Sequence, residues 1–375
     1  MSDDLNSTSS PPSASEQTPV DGRNEDLAKW EIALLTSIFL ITLIGNTLVL
    51  LALYARKRRQ RRKFSRMYFF ILHLCIADLL TGLFDVLPQL AWDITFRFQG
   101  GAVLCKLIKF GQPFGIYLSS YILTVAAVDR YYAICHPFSY CSVTSRRSKM
   151  MVYVVWLLAV VLCVPQVFIF SYQEISPNVW DCWATFNVKY GERSYVTWYS
   201  VTQFLLPFIV LVYTYTRICI TIWTSNKMSG VVDLRKGNKA SFSQRNRDPF
   251  ISKALINTVK QTIIVVILYI VTSTPFIGCQ LWATWDPGAA TSPFHTEAAF
   301  TILCLLNSLT SCINPWIYFA FNRELRSALT NLFFKRKDYS PAYDAVAQQN
   351  ASDAASTTSS FISRISRLAS SKIFG

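Results

Sequence analysis

Charged residues are scarce in this sequence, at 15% of its 375 residues, against roughly 25% in an ordinary soluble domain. Acidic residues are the scarcer sign, with 22 Asp and Glu against 36 Lys and Arg, while hydrophobic residues reach 52%. This composition excludes a disordered, collagen-like or small disulfide-rich protein and disfavours a row of soluble domains. The net charge of +14 does not indicate nucleic acid, because excess Lys and Arg in an apolar chain usually mark cytoplasmic loops of a membrane protein.

Several chemical signatures are also missing. The three histidines, His73, His136 and His295, lie far apart, and there is no Cys-x-x-Cys pair, so no metal cluster and no organic cofactor are predicted. Neither a nucleophile–base constellation nor a phosphate-cradling glycine loop is present, which argues against an enzyme. No lysine occurs over residues 261–334, which excludes a retinal Schiff base on the last helix. No internal repeat of the kind found in many secondary transporters is visible.

Seven apolar runs are long enough to cross roughly 30 Å of hydrocarbon as helices of about 20 residues. They cover residues 31–55, 67–92, 102–135, 149–171, 195–223, 253–285 and 296–320. Because backbone groups cannot stay unpaired in lipid, each run is expected to be a helix, and prolines inside them are expected to be kinks whose freed carbonyls find other partners. The sequence therefore predicts an all-α membrane protein with a seven-transmembrane helix bundle.

The basic residues predict the orientation of this bundle. Residues 56–63 and the segment between the fifth and sixth runs are rich in Lys and Arg, so both are expected to be cytoplasmic; residues 56–63 also suit contact with lipid headgroups. Residues 1–30 are then an extracellular, disordered N-terminus with a glycosylation acceptor at Asn6. Residues 335–375 are a disordered cytoplasmic tail.

Residues 321–334 are predicted to form a short amphipathic eighth helix. Leu325, Leu329 and Leu332 lie on one of its faces, which suits a helix lying on membrane lipids.

Two of the ten cysteines differ from the rest. Most lie inside the apolar runs, where a thiol is usually a small core hydrophobe. Cys105 and Cys182 face the predicted outer, oxidising side, and no other cysteine is predicted there. A disulfide between them is the economical pairing, and it would tie the second outer loop over the top of the third helix.

Polar side chains inside the apolar runs are candidates for function, because they are costly in lipid. Asp78 lies in the middle of the second helix, where Ser119 and Asn314 would complete an oxygen-lined cavity for a small hard cation such as Na+. A protonated, hydrogen-bonded structural aspartate is the alternative. Asp85 lies two turns farther out on the same face.

Four more polar residues lie near the outer ends of the third, fourth and sixth helices: Lys109, Gln112, Gln166 and Gln280. Their convergence at one level predicts a polar ligand cavity. A pure packing role is the alternative, which is hardest to accept for Lys109.

Asp129, Arg130 and Tyr131 stand at the cytoplasmic end of the third helix. Arg130 could simply extend to the interface. A local pair with Asp129 would instead hold the arginine until a partner offers better acceptors.

In order and spacing, these features resemble the rhodopsin-like G-protein-coupled receptors. The resemblance rests on Asn46, Asp78, Asp129-Arg130-Tyr131, Trp156, Pro207, Pro275 and Asn314-Pro315-Trp316-Ile317-Tyr318. Within that family, the vasopressin/oxytocin receptors are similar over residues 23–29, 87–98, 181–184, 195–198 and 285–287. The resemblance covers roughly residues 23–334.

The resemblance implies a plasma-membrane receptor that binds a cyclic, disulfide-closed nonapeptide, moves helix six outward and activates a heterotrimeric G protein, with the Gq class favoured. It implies a ligand site of Arg23, Glu31, Gln89, Lys109, Gln112, Gln166 and Gln280, whose amides suit a peptide backbone. It implies roles in activation for Asp129, Arg130, Tyr131, Asn314, Pro315 and Tyr318. A receptor for another neuropeptide, of the crustacean-cardioactive or neuropeptide-S type, is the alternative.

The chain departs from the family pattern at three places. Asp85, which joins the predicted ligand site, stands where this group usually has glutamine, so ligand preference is expected to differ. Ser273 replaces the usual tryptophan of the sixth helix, with Phe276 as a candidate substitute. No cysteine follows the eighth helix, so palmitate anchoring is not expected.

The tail is rich in Ser and Thr over residues 356–360. Phosphorylation by a receptor kinase there would add negative charge and recruit arrestin. A merely solvated tail is the alternative.

Overall fold

The computed structural model describes residues 25–59, 66–137, 145–235, 253–289, 292, 303 and 305–334, with the backbone alone at 59, 145, 225–235 and 253–258. The chain divides into two compact units, residues 1–326 and 327–375. Of the second unit, the structure describes residues 327–334, most of which belong to the helix Arg323–Phe333.

The described residues include eight helices and one two-stranded hairpin. The helices are α1 Glu25–Arg59, α2 Arg66–Thr95, α3 Gly101–Cys135, α4 Ser145–Ile169, α5 over 191–235, α6 Lys253–Trp285, α7 Leu309–Phe321 and α8 Arg323–Phe333. Among these residues, α1, α2, α4, α5 and α6 are long and apolar enough to cross a membrane. The predicted all-α class is confirmed.

Helix α1 starts earlier than predicted. It begins at Glu25 rather than residue 31, so residues 25–30, which were predicted to be disordered, are helical. Glu25 and Asp26 lie in its first turn, where negative charge interacts favourably with the helix dipole. Lys29 lies 3.0 Å from Asp26, one turn away, which adds local support.

Other helix ends also differ from the prediction. Helix α4 ends at Ile169, and residues 170–171, predicted to be helical, begin a strand. Helix α5 continues to residue 235 instead of 223, since no proline interrupts that stretch. In the seventh run, residues 307–308 form a turn and continuous helix begins only at Leu309. Residues 293–302 of this region lie outside the described part.

Prolines account for the irregular turns inside the helices. A proline removes an N–H donor and clashes with the carbonyl four residues earlier. One wide π-turn, Val201–Leu205, precedes Pro207 in α5, and the Tyr269 hydroxyl of α6 donates to the Gln203 carbonyl at 2.9 Å. A freed carbonyl is therefore satisfied by a neighbouring helix, as the sequence predicts.

The same arrangement recurs in α7. The Asn46 amide of α1 donates to the Ser311 carbonyl at 3.0 Å, four residues before Pro315. In α2 another π-turn, Gly82–Val86, precedes Pro88 and carries Asp85.

Helix α3 lies at the centre of the bundle. Its Tyr117, Leu118 and Ile122 are fully buried, and it contacts α2, α4 and α5 along its length. Helix α4 instead exposes Leu157 and Phe168, as expected of a helix that faces lipid. This contrast places the polar residues of α3 inside the bundle.

Candidate functional site

A hairpin between α4 and α5 forms one wall of the outer half of the bundle. Its strands, β1 Phe170–Ser176 and β2 Val179–Ala184, pair antiparallel with Tyr172 opposite Cys182. A disulfide joins Cys182 to Cys105 near the start of α3, with 5.6 Å between their Cα atoms. This confirms the predicted pairing, although the sequence analysis did not predict the strands.

Asp181 fixes the same hairpin to the connection between α2 and α3. Its Oδ1 accepts hydrogen bonds from the backbone N–H of Cys182 at 2.8 Å and of Phe98 at 3.3 Å. The Arg97 guanidinium lies 3.7 Å from Oδ2. A buried carboxylate needs such partners, so the wall is held by a covalent bond and by an anchored charge.

The outer halves of the helices and this hairpin enclose a cavity of about 660 Å³, here called the outer cavity. Every predicted ligand-site residue that the structure describes lines it: Glu31, Asp85, Gln89, Lys109, Gln112, Gln166 and Gln280. Residues scattered over five helices in the sequence therefore meet at one place. Arg23 and Asn6 lie outside the described residues.

The four glutamines of the outer cavity differ in their partners. Gln89 donates to Asp93 at 3.0 Å, and Gln166 donates to the Tyr195 hydroxyl. Gln112 and Gln280 have no side-chain hydrogen bond to any residue in the described ranges. An amide carries two donors and one acceptor oxygen, so these two side chains can bind a peptide backbone without breaking an internal bond.

The charged groups of the outer cavity are three carboxylates, Glu31, Asp85 and Asp93, and one ammonium, Lys109. The Lys109 Nζ lies 4.6 Å from the ring centre of Trp92 and 5.1 Å from that of Phe170. Such cation–π contacts stabilise an ammonium group, and the charges of Asp85 and Asp181 also act on this one. The cavity therefore has an excess of acid.

The sequence analysis missed several residues that line the outer cavity, among them Asp93, Trp183, Tyr195, Tyr199 and Ser308. Tyr195 and Tyr199 are one turn apart on α5 and therefore share a face, which is a signal that could have found them. Trp183 is placed by the hairpin, which no periodicity in the sequence indicates.

Asp78 lies deeper, below the outer cavity and fully buried. Its Oδ1 accepts a hydrogen bond from Ser119 at 3.3 Å, and its Oδ2 accepts one from the Asn314 amide at 3.0 Å. The Asn314 Oδ1 atom is also buried, with no hydrogen-bond partner among the described residues. The structure thus brings together the three residues predicted to form a cation site, and it adds one unsatisfied oxygen.

At the cytoplasmic end of α3, Arg130 donates to the Asp129 carboxylate at 2.7 Å. Asp129 also accepts from Ser148 of α4 at 3.2 Å and lies 3.8 Å from Arg66 of α2. Arg130 is therefore paired with Asp129, as one of the two sequence-based interpretations predicts, and does not simply extend to the membrane interface.

Two other residues predicted to act in activation lie close by. The Tyr131 hydroxyl lies 3.1 Å from His136 Nε2. Tyr318, which follows Pro315 in α7, is buried and lines a small cavity of about 40 Å³ together with Arg130.

A set of polar contacts, here called the α6–α7 seam, joins α6 to the start of α7 around Ser273, which replaces the tryptophan usual in the family. The Thr272 hydroxyl lies 2.5 Å from that of Thr310, and the Ser273 hydroxyl donates to Asn307 at 3.1 Å. Both Thr272 and Ser273 are buried. Hydrogen bonds therefore take the place that a large aromatic side chain would fill, and Phe276 lines the outer cavity above them.

Residues 45–318 match the family described as 7 transmembrane receptor (rhodopsin family). Among curated relatives, the vasopressin V1b receptor of Mus musculus is 41% identical over 324 residues, which is 82% of this chain and 76% of the relative. The isotocin receptor of Catostomus commersonii is 42% identical over 309 residues, which is 81% of this chain and 77% of the relative. The family match includes most of the residues that line the outer cavity.

Proposed function

We propose that the outer cavity binds a cyclic nonapeptide of the vasopressin/oxytocin type. The chain belongs to the rhodopsin family of seven-transmembrane receptors and, within that family, to the vasopressin/oxytocin type. The chain is a multi-pass protein of the plasma membrane and a receptor rather than an enzyme. The observation that carries the proposal is the meeting of seven predicted ligand-site residues in one cavity of about 660 Å³. Gln112 and Gln280, whose side chains have no hydrogen bond to the described residues, suit the polar backbone of a peptide.

We propose further that the bound peptide activates a heterotrimeric G protein, of the Gq class, by favouring a conformation in which α6 moves outward. A ligand shifts such an equilibrium only as far as it binds the two states differently. The Asp129–Arg130 pair and the α6–α7 seam support this mechanism, because both are polar contacts that release of Arg130 and outward movement of α6 would break. Arg130, freed from Asp129, would then contact the G protein between the inner ends of α3, α5 and α6. Tyr131, Asn314, Pro315 and Tyr318 belong to the same proposal.

The proposed orientation places the N-terminus and Asn6 outside the cell and the tail inside. In this arrangement Arg56, Lys57 and Arg58 at the end of α1 are cytoplasmic, as basic flanks prefer. The tail would then meet receptor kinases and arrestin, and α8 would lie on membrane lipids. Epitope tags at the two termini, detected with and without permeabilisation, test this orientation.

We propose Na+ as an allosteric ligand at Asp78. The fit rests on the Asp78 carboxylate, the Ser119 hydroxyl and the unsatisfied Asn314 oxygen, which are the hard oxygen ligands such a cation prefers. These residues would hold the ion, whose charge would stabilise the ionised carboxylate between α2, α3 and α7.

The test is a peptide panel applied to cells that express the full chain, with calcium and cyclic AMP as separate readouts. Vasopressin/oxytocin-type nonapeptides are expected to give a saturable calcium response. A response only to crustacean-cardioactive or neuropeptide-S-type peptides would replace the proposed ligand, and a response only in cyclic AMP would replace the proposed G protein.

A matched pair of variants connects that response to the outer cavity. Gln112→Ala is expected to lower nonapeptide potency about tenfold, because one or two hydrogen bonds to the ligand are lost. Val103→Ala, on the exposed side of the same helix, should leave potency unchanged. Equal potency of both variants at equal surface expression would place the ligand elsewhere.

A further inference from the structure

Asp85 is a carboxylate that the chain itself satisfies only in part. It lies on the π-turn Gly82–Val86 of α2 and lines the inner end of the outer cavity. Its Oδ2 accepts one hydrogen bond, from the Ser308 hydroxyl at 3.2 Å, and the described residues supply no other. An ionised carboxylate offers about four acceptor positions, so most of its capacity faces the cavity.

Lys109 does not neutralise Asp85 by direct contact. No nitrogen–oxygen distance of 4.0 Å or less joins the two side chains in the described part of the chain. The Lys109 ammonium lies instead over Trp92 and Phe170. The Lys109 charge still acts on Asp85 across this longer distance. A cation that a ligand brings within hydrogen-bond distance would stabilise the carboxylate further.

The surroundings of Asp85 favour such a cation. Three carboxylates and one ammonium line the outer cavity, and a cleft with an excess of one sign attracts the opposite charge. Of the other acids, Asp93 already accepts a hydrogen bond from Gln89 at 3.0 Å. Asp85 also accepts one, from Ser308, but it lies two turns deeper in α2 than Asp93, at the inner end of the outer cavity.

An aspartate at position 85 accepts fewer kinds of ligand group than a glutamine there would. A glutamine amide both donates and accepts hydrogen bonds, so it can bind a ligand carbonyl or a ligand amine. An ionised aspartate only accepts, and its bonds to a cationic donor are about twice as strong as neutral ones. Its partner in the ligand must therefore be a donor, and a charged donor binds best.

We infer that Asp85 is a specificity-determining residue that binds a cationic nitrogen of the peptide ligand, an inference that rests on the proposed function. In an unmodified nonapeptide, that nitrogen is either the N-terminal ammonium or a basic side chain. Either one satisfies the carboxylate, and the experiment distinguishes the two.

The experiment measures potency for three peptides on four receptors in cells. The peptides are a vasopressin-type cyclic nonapeptide, the same peptide without its N-terminal amine, and the same peptide with its arginine replaced by neutral citrulline. The receptors are the unmodified chain, Asp85→Gln, Asp85→Glu and, as a second acid of the cavity, Asp93→Asn. Surface expression of each is measured alongside.

On the unmodified chain, one of the two neutralised peptides is expected to lose about 30-fold or more in potency, as for a desolvated charge pair deprived of one partner. On Asp85→Gln, the same change should cost less than about threefold, while Asp85→Glu and Asp93→Asn retain the large loss. The neutralised peptide that shows this pattern identifies the nitrogen.

Equal losses on the unmodified chain and on Asp85→Gln, for both neutralised peptides, would overturn the inference and leave the proposed function standing. Absence of any response of the unmodified chain to the parent peptide would overturn the proposed function, and this inference with it. If Asp85→Gln reaches the surface poorly, Asp85→Asn takes its place with the same two outcomes, because it removes the same charge and keeps the size of the side chain.

Discussion

Asp129 at the cytoplasmic end of α3 and the polar residues of the outer cavity differ in how many hydrogen-bond and ionic partners the chain itself gives them. Asp129 has polar partners on α2, α3 and α4 within 4.0 Å. In the outer cavity, Gln112 and Gln280 have none among the described residues, and Asp85 has one. Buried polar groups that are paired hold elements together, whereas unpaired ones are unfavourable until something else pairs them.

This difference indicates a division of tasks along the bundle. Asp129 helps to hold α2, α3 and α4 in one arrangement, whereas Gln112, Gln280 and Asp85 are available to a ligand. The outer half must therefore keep its shape by other means, which are the Cys105–Cys182 disulfide and the anchored Asp181. Variants that remove the disulfide, or the polar contacts between helices, test this comparison.

The largest effect is expected from loss of the disulfide. Cys182→Ser should lower the melting temperature of the purified receptor and reduce peptide binding by at least about 100-fold, because a disulfide contributes about 2–4 kcal/mol and this one positions a cavity wall. Thermal unfolding and radioligand binding measure the two effects.

Cys219→Ser is the matched control, because Cys219 is an exposed, free cysteine, and it should change neither property. If Cys182→Ser bound peptide as well as the unmodified chain, the hairpin would not be a wall of the binding site.

A smaller effect is expected from the α6–α7 seam. Thr272→Val removes the bond to Thr310 at 2.5 Å and keeps the volume of the side chain. A hydrogen bond contributes about 1 kcal/mol, so the ratio of active to inactive receptor should rise about fivefold. Ligand-free second-messenger output per receptor at the surface measures the change.

Thr284→Val provides the comparison for that variant. Its hydroxyl donates to the Gln280 carbonyl of its own helix at 2.8 Å, much as Thr272 also does to Leu268 at 2.9 Å, but the structure gives it no bond to α7. Unchanged basal output in Thr272→Val, or an equal rise in Thr284→Val, would show that the seam does not restrain α6.

Much of this arrangement is predictable from the sequence, because lipid imposes strict rules. Apolar runs had to be helices, and Cys105 and Cys182 had no other partner on the oxidising side. Lys109, Gln112, Gln166 and Gln280 could be grouped because polar side chains at one depth of a bundle tend to face its interior, whereas Gln89 was predicted only from the family resemblance. Apart from that of Gln89, these inferences used composition and spacing alone.

The remaining features depend on tertiary contacts that spacing does not encode. The hairpin replaces the end of the predicted fourth helix, and it brings Trp183 to the cavity. The π-turn before Pro88 sets the direction of the Asp85 side chain, and the turn at residues 307–308 brings Ser308 within 3.2 Å of it. Irregular turns of this kind arise where a proline disturbs the helix and a group on a neighbouring helix supplies the missing hydrogen bond. The sequence of one helix alone is therefore not enough to predict such a turn.

The smallest effect is expected at Glu324, at the start of α8. Its carboxylate accepts hydrogen bonds from Arg56 at 2.6 Å and from Tyr68 at 3.0 Å. Partial burial opposes ionisation, but these bonds and the Arg56 charge hold the pKa of Glu324 below its ordinary value. A lowered pKa means that the stabilisation is complete above the pKa of the unfolded chain and is lost as the pH falls through that of the folded protein. Since Glu324 is 58% exposed, Glu324→Gln should lower the melting temperature at pH 7 by only about 2 °C.

This difference in melting temperature between Glu324→Gln and the unmodified chain should shrink below about pH 4, near the ordinary pKa of glutamate. Glu192→Gln, on the outer side in the first turn of α5, is the control, and a difference that persisted unchanged in acid would mean that the Glu324 charge does not hold α8 to α1.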